Sequence, residues 1–207
     1  MTMDLLIGTS NVGKLNEIRE MLAGLPVRYL SLPDVGLAHM EVEENATTLE
    51  ENARIKAEAY AEASRLTTLA DDTGLIVDAL NGAPGIYPAR YGGPGLTMAQ
   101  RRQKVLDELV GVPDERRTAR FVAVMVVVNP VSKTVFTVKG ICEGRIAQEE
   151  AQGGGGFGYD PMFIPQGYSV PFSLLSPEEK NRISHRGLAM QQIIPILKRM
   201  ATEQTNG

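Results

Sequence analysis

Within its first 22 residues the chain changes hydrophobic period, and that change restricts it to folds in which a buried strand feeds directly into a helix. Asp4-Leu5-Leu6-Ile7 is a short apolar run of strand length, whereas the apolar positions 15, 18, 21 and 22 recur at helical spacing. The same mixture continues downstream. Val27–Leu30 reads as a strand, and a loop holding Pro33 and Gly36 follows it. A helix over about 48–65 is opened by Thr48-Leu49-Glu50-Glu51, a capping box in which hydroxyl and carboxylate each satisfy an orphan backbone N–H. Leu66–Ala70 predicts a strand ending at Asp71-Asp72-Thr73-Gly74, with a short helix over 75–80. Residues 81–95 are dense in Gly and Pro and predict a loop, with a helix after it over about 97–110. Phe121–Val128 and Thr134–Cys142 predict an antiparallel hairpin turning at Asn129-Pro130. A helix starts at Ser176 with Pro177 in its first turn, and a second runs from near Ser184 to about 201, kinked at Pro195. Strands mixed with helices predict an α/β fold, and 207 residues suit one domain, or two lobes sharing a core. The closing residues 203–207 are the one tract expected to lack order.

Composition removes several function classes. The net charge of −4 argues against a broad nucleic-acid surface, while leaving room for a local phosphate pocket. No apolar run approaches the length of about 20 residues needed to span a bilayer. The opening Met-Thr-Met-Asp has neither the basic nor the apolar region of a secretory signal, and the lone Cys142 cannot make an internal disulfide, so a cytoplasmic location is expected. Cys142 reads as a small buried thiol without a catalytic role. With two histidines and one cysteine, a closed zinc site is excluded unless carboxylates contribute, and any metal is expected to be hard and oxygen-bound.

Three segments carry chemistry. Thr9-Ser10-Asn11-Val12-Gly13-Lys14 lies where the first strand meets the first helix, offering hydroxyls, an amide, backbone N–H groups and an ammonium to an anion. It lacks the Walker A spacing, and ordinary capping by Thr9 or Asn11 with a solvated Lys14 is the plainer alternative. Glu43-Glu44 and Asp71-Asp72 supply carboxylates from two separate loops, the arrangement a magnesium ion uses alongside substrate phosphates. Glu50 and Glu51 are explained by the helix dipole. Asn52 and Lys56 share a helix face and could reach a phosphate chain, or Lys56 could pair with a nearby glutamate. The third segment, Gly153–Asp160, sets Phe157 and Tyr159 in a glycine-rich loop, followed by Lys180, His185 and Arg186. A flat base with a charged tail needs such a surface, an edge reader and positive charge, although glycine runs also serve as linkers.

In order and spacing these segments, together with Gly82-Ala83-Pro84-Gly85-Ile86-Tyr87 and Ala89-Arg90-Tyr91, resemble the inosine/xanthosine triphosphate pyrophosphatase family over residues 5–200. The resemblance implies an elongated mixed sheet with flanking helices forming two lobes around a central cleft, a homodimer, and Mg²⁺-dependent hydrolysis of ITP, dITP and XTP to monophosphate and pyrophosphate. By the same resemblance Thr9–Lys14 binds triphosphate, Asp72 is the proton acceptor, and Glu43 and Asp72 hold magnesium, with Glu44 and Asp71 as further candidates. Lys56, Thr73, Gly158 and Tyr159 fall among the substrate-binding positions, Phe157 stacks on the base, and Asp160, Lys180, His185 and Arg186 complete the pocket. Thr73 stands where the family often has Ser, which keeps the hydroxyl. Two alternatives stay open: a pyrophosphatase for canonical or modified nucleoside triphosphates, and a nucleotide-binding module without hydrolysis. The acidic pair speaks against the second, because a binder of polyanions gains nothing from it without a metal.

Overall fold

Leu5, Leu6 and Ile7 are all fully buried, so the first strand is apolar on both faces, as a strand flanked by parallel neighbours is. In the computed structural model, which describes residues 2–206, this strand is β1 (Met3–Ile7), followed by α1 (Val12–Leu22), β2 (Val27–Ser31) and α2 (Leu49–Ser64). Then come β3 (Thr67–Val77), β4 (Pro84–Gly85), α3 (Met98–Glu108), β5 (Thr118–Asn129), β6 (Thr134–Ile146), β7 (Phe163–Pro165), α4 (Pro177–Ile183) and α5 (His185–Asn206). The sheet order is β2-β1-β3-β5-β6-β7, with β4 added to β3. It is mixed, since β1 runs parallel to β2 and β3 while β4 and β7 pair antiparallel. No described helix is long and apolar enough to cross a membrane.

The chain divides into two units, each with its own core. The first comprises residues up to Asp72, Ala123–Gly140 and those from Ala189 onward. Its core joins Leu5 and Ile7 to Ile18 and Leu22 of α1, Met125 and Val127 of β5, and Ile193 and Leu197 of α5. The second comprises Thr73–Val122 and Ile141–Leu188. Here Leu75 and Val77 pack with Val105, Leu109, Phe121, Phe163 and Phe172. Phe121 meets Phe163 edge-on at 4.7 Å between ring centroids, a geometry favoured by the ring quadrupoles.

Several sequence expectations are corrected. The third strand does not stop at Asp71 but continues to Val77, and residues 75–77 are strand with only Asp78–Leu80 forming a 3₁₀ turn. Asp and Gly are poor strand formers, but Leu75 and Val77 have no exposed surface and Leu75 and Ile76 pair with β4, so packing overrides local preference. The carboxy-terminal helix extends through Asn206, beyond the expected fraying point, and Pro195 lies inside it. Gly207 lies outside the described residues. The hairpin strands are longer than expected by several residues at each outer end.

Candidate active site

In the first unit β1 is parallel to both neighbours, so the chain leaves β1 toward β2 on one side while β3 leads away on the other. Open parallel sheets bind ligands outside the carboxyl ends of strands at such a reversal. The register pairs Ile7 with Leu69, which places Gly8–Gly13 beside Ala70–Asp72 at that end. Gly8 is required there: a Cβ would come within 2.9 Å of the Tyr60 ring and 3.2 Å of Thr68.

The loop after β1 is held by its own polar side chains. Thr9 Oγ1 accepts the Asn11 N–H at 3.2 Å, and Asn11 Oδ1 accepts the Lys14 N–H at 3.0 Å, making Asn11 the N-cap of α1. Capping and anion binding coexist, since one cap satisfies one of the four orphan donors. Ser10 and Val12 are exposed, Gly13 is half-buried, and Lys14 Nζ lies 3.2 Å from the fully buried Asp71 carboxylate.

Because β3 runs through Asp71-Asp72, the two carboxylates project to opposite faces of the strand. Lys14 meets Asp71, and Lys56 meets Asp72 at 3.4 Å and Glu44 at 2.8 Å. Each face thus carries a lysine–carboxylate contact. Glu44 of the acidic pair reaches this cluster, whereas Glu43 is exposed. Asn52 is fully buried and spends its Oδ1 on the Ala46 N–H at 3.0 Å, so it pins the acidic loop.

Burial pushes the Asp72 carboxyl above its ordinary range; Lys56 and Lys14 pull it down, and Glu44 and Asp71 add to the rise. Burial pulls the Lys56 ammonium the other way, but Asp72, Asp71 and Glu44 together outweigh it and hold Lys56 above its usual value. Asp72 Oδ2 is buried and accepts no hydrogen bond from the described residues, an acceptor ready for a cation or a water proton. The described residues contain no group of three His, Cys, Asp or Glu gathered as a metal cage. Magnesium does not need one, as it takes one or two carboxylates and completes its shell with water and phosphate oxygens. The oxygen donors on the Lys56 face, Asp72 and Glu44, fit that requirement.

In the second unit the glycine loop is shaped around Asp160. Asp160 Oδ2 accepts the Phe157 N–H at 2.7 Å and the Lys180 ammonium at 2.7 Å, with both charged side chains less than a tenth exposed. Gly156 has φ +84°, and a Cβ there would overlap that carboxylate; Gly154 at φ +83° would overlap the Ser173 carbonyl oxygen. Phe157 is left half-buried, with Lys180 Nζ 5.1 Å and the Arg186 guanidinium carbon 5.5 Å from its ring centroid. Arg186 also donates to Thr73 Oγ1 at 3.1 Å. His185 is 3% exposed and stacked on Phe121 at 4.6 Å, an aromatic support that its strand position did not advertise. Gly158 is half-buried beside it in sequence, whereas Tyr159 is buried in the core with its hydroxyl donating to the Pro88 carbonyl. Tyr159 therefore supports the loop from beneath.

Gly187 lets α5 start hard against α4: a Cβ would overlap the Asn181 carbonyl, so no other residue fits the turn that sets His185 and Arg186. Cys142 is buried and its thiol is pushed up to about 12, chiefly by burial, which leaves it inert at neutral pH. A cavity of about 530 Å³ elsewhere in this unit is lined by Asp78, Asp114, Glu115, Arg120, Glu143 and Arg145 among others. It contains none of the candidate residues, and its carboxylates outnumber its guanidiniums, which suits a polyphosphate badly.

The chain also matches known proteins over most of its length. The model of the Ham1 family matches residues 5–196. A dITP/XTP pyrophosphatase of Oceanobacillus iheyensis is 42% identical over 189 residues, covering 91% of this chain and 95% of that protein. One of Xanthomonas oryzae pv. oryzae is 44% identical over 187 residues, covering 90% and 92%. Among solved structures, a HAM1 protein from Coxiella burnetii superposes with a TM-score of 0.84 at 37% identity, over 96% of this chain and all of that one.

Proposed function

The chain belongs to the Ham1 family, and we propose on that footing that it is a pyrophosphatase cleaving dITP, ITP and XTP to the monophosphate and pyrophosphate with Mg²⁺. The observation that carries the reading is the Lys56–Asp72–Glu44 cluster, where a buried carboxylate oxygen accepts no hydrogen bond from the described residues.

Asp72 and Glu44 would hold the metal, which when bound supplies positive charge to the phosphates. Asp72, buried beside Lys56, accepts the proton of the water attacking the α-phosphorus. The N–H groups and hydroxyls of Thr9–Gly13, with Lys14, bind the triphosphate and favour charge developing on the leaving pyrophosphate. Lys56 balances the carboxylates so that a polyanion can approach them. Phe157 offers its ring to the base while Lys180 and Arg186 stand over it as donors. A donor facing the 6-oxo group accepts hypoxanthine and xanthine; adenine would set its 6-amino donor against another donor, at a cost of about 1–3 kcal/mol.

Pyrophosphate release from ITP, XTP, dITP, ATP and GTP, with and without Mg²⁺, tests the proposal. Mg²⁺-dependent release from the first three, about five- to 150-fold above that from ATP, is expected; GTP shares the 6-oxo group, so its rejection would have to act through its 2-amino group. Equal turnover of all five would replace it by a general nucleoside triphosphate pyrophosphatase. Binding without turnover would leave a nucleotide-binding module. The homodimer and the cytoplasmic location belong to the same proposal, and sedimentation of the purified chain at twice its 22.5 kDa mass is the expected outcome for the first.

A further inference from the structure

We propose that Arg102 is a positioning residue for base binding, holding the glycine loop that carries Phe157 from outside the pocket; the inference rests on the functional reading above. Arg102 lies on α3, remote in sequence from every candidate site residue. Its neighbour Arg101 is turned to the carbonyls of Tyr91, Gly93 and Leu96. Consecutive helical residues point about 100° apart, so Arg102 faces a different element.

That element is the glycine loop. Arg102 Nη1 donates to the Gly158 carbonyl at 2.8 Å, and Nε lies 2.9 Å from the Glu150 carboxylate. The Nε–H makes no aligned hydrogen bond, so the second contact is an ion pair. One guanidinium therefore ties residues 150 and 158, on either side of the glycines at 153–156. The side chain is only 16% exposed, which separates it from a screened surface pair.

The loop needs such a tie. Gly153, Gly154, Gly156 and Gly158 all have positive φ, and glycine loses more conformational freedom on ordering than any other residue. Residues 152–156 are exposed and carry no apolar side chain to offset that loss. Between the two Arg102 contacts the backbone N–H bonds that hold the loop are those of Ala151 to Pro161, Gly155 to Ser173 and Phe157 to Asp160. A carbonyl fixed at Gly158 sets the Gly158–Tyr159 peptide plane, which restrains the glycine next to Phe157 and through it the tilt of the ring a base would stack on. A ring free to tilt binds the base less well, but it does not alter the phosphate chemistry once substrate is bound.

Hydrogen exchange and steady-state kinetics on wild type, Arg102→Met, Arg102→Lys and Glu150→Gln test this. In Arg102→Met the hydrogen-bonded amides of Gly155 and Phe157 should exchange about tenfold faster, the equivalent of losing one charge-assisted hydrogen bond, with β1 and α5 protected as before. KM for ITP should rise by about the same tenfold factor with kcat held within about twofold, because the lost term is one of binding. Arg102→Lys keeps a charge but not the fork, so it should fall between wild type and Met; Glu150→Gln should shift the same readouts less. Unchanged loop exchange and KM in Arg102→Met, or loss of protection across the whole chain, would overturn the proposal. If the wild type cleaves no purine triphosphate, the functional reading falls and the exchange data alone decide whether Arg102 holds the loop.

Discussion

Asp72→Asn should lower pyrophosphate release by about 10²–10⁴-fold, the span over which a positioned general base contributes. The same change should leave the metal-free fold at least as stable. Asp72 is 7% exposed, and burial raises its pKa more than Lys56 and Lys14 lower it. A carboxyl whose folded pKa lies above its unfolded value contributes stability in full below the unfolded pKa, and loses it as pH rises through the folded one. At neutral pH the ionised group is thus a net cost, which an amide of the same shape removes. In metal-free buffer the melting temperature of Asp72→Asn at pH 7 should equal or exceed that of the wild type. The wild type's own decline as pH rises from about 4, the ordinary aspartate range, should be smaller in the variant. Initial rates with ITP and thermal unfolding across pH provide the check. A variant that loses activity and melts well below the wild type would assign Asp72 a structural role instead.

Arg117→Met should cost about 3–5 kcal/mol of stability, which places it among the most damaging substitutions outside the site. Arg117 is 1% exposed in the second unit and donates to the carbonyls of Ile146, Leu109 and Ala147 at 2.9, 2.9 and 2.7 Å. Burial lowers its pKa, yet a guanidinium stays charged in proteins. Methionine keeps much of the volume and withdraws the donors. Three carbonyls then lose their partner, each at about 1–3 kcal/mol where water cannot replace it. The denaturation midpoint measures the loss, and a change under about 1 kcal/mol would mean that solvent reaches those oxygens.

The first strand, the first helix and the caps of α1 and α2 were legible because each depends on residues within one or two turns of itself. Thr48 accepts the Glu51 N–H as its spacing implied, and Asn11 caps α1. Asp71 and Asp72 were legible as chemistry but not as geometry: a strand continued through them by long-range packing sends adjacent carboxylates to opposite lysines, which no local pattern encodes. The distinction between Glu43 and Glu44 had the same origin, since it depends on how Asn52 draws the loop in through Ala46. Arg101, Arg102 and Arg117 left no sequence signal as anchors. Their partners are backbone carbonyls, which every residue has, so nothing in composition or spacing marks the receiving end.

Lys56 has a consequence for reagents as well as for substrates. An amine reacts with acylating and alkylating agents only through its neutral form, and the carboxylates around Lys56 keep that form scarcer than on an exposed lysine. The side chain is also only 11% exposed. The lysine in the midst of the candidate chemistry is therefore among the least nucleophilic amines of the chain, and covalent probes aimed at it would first mark the surface.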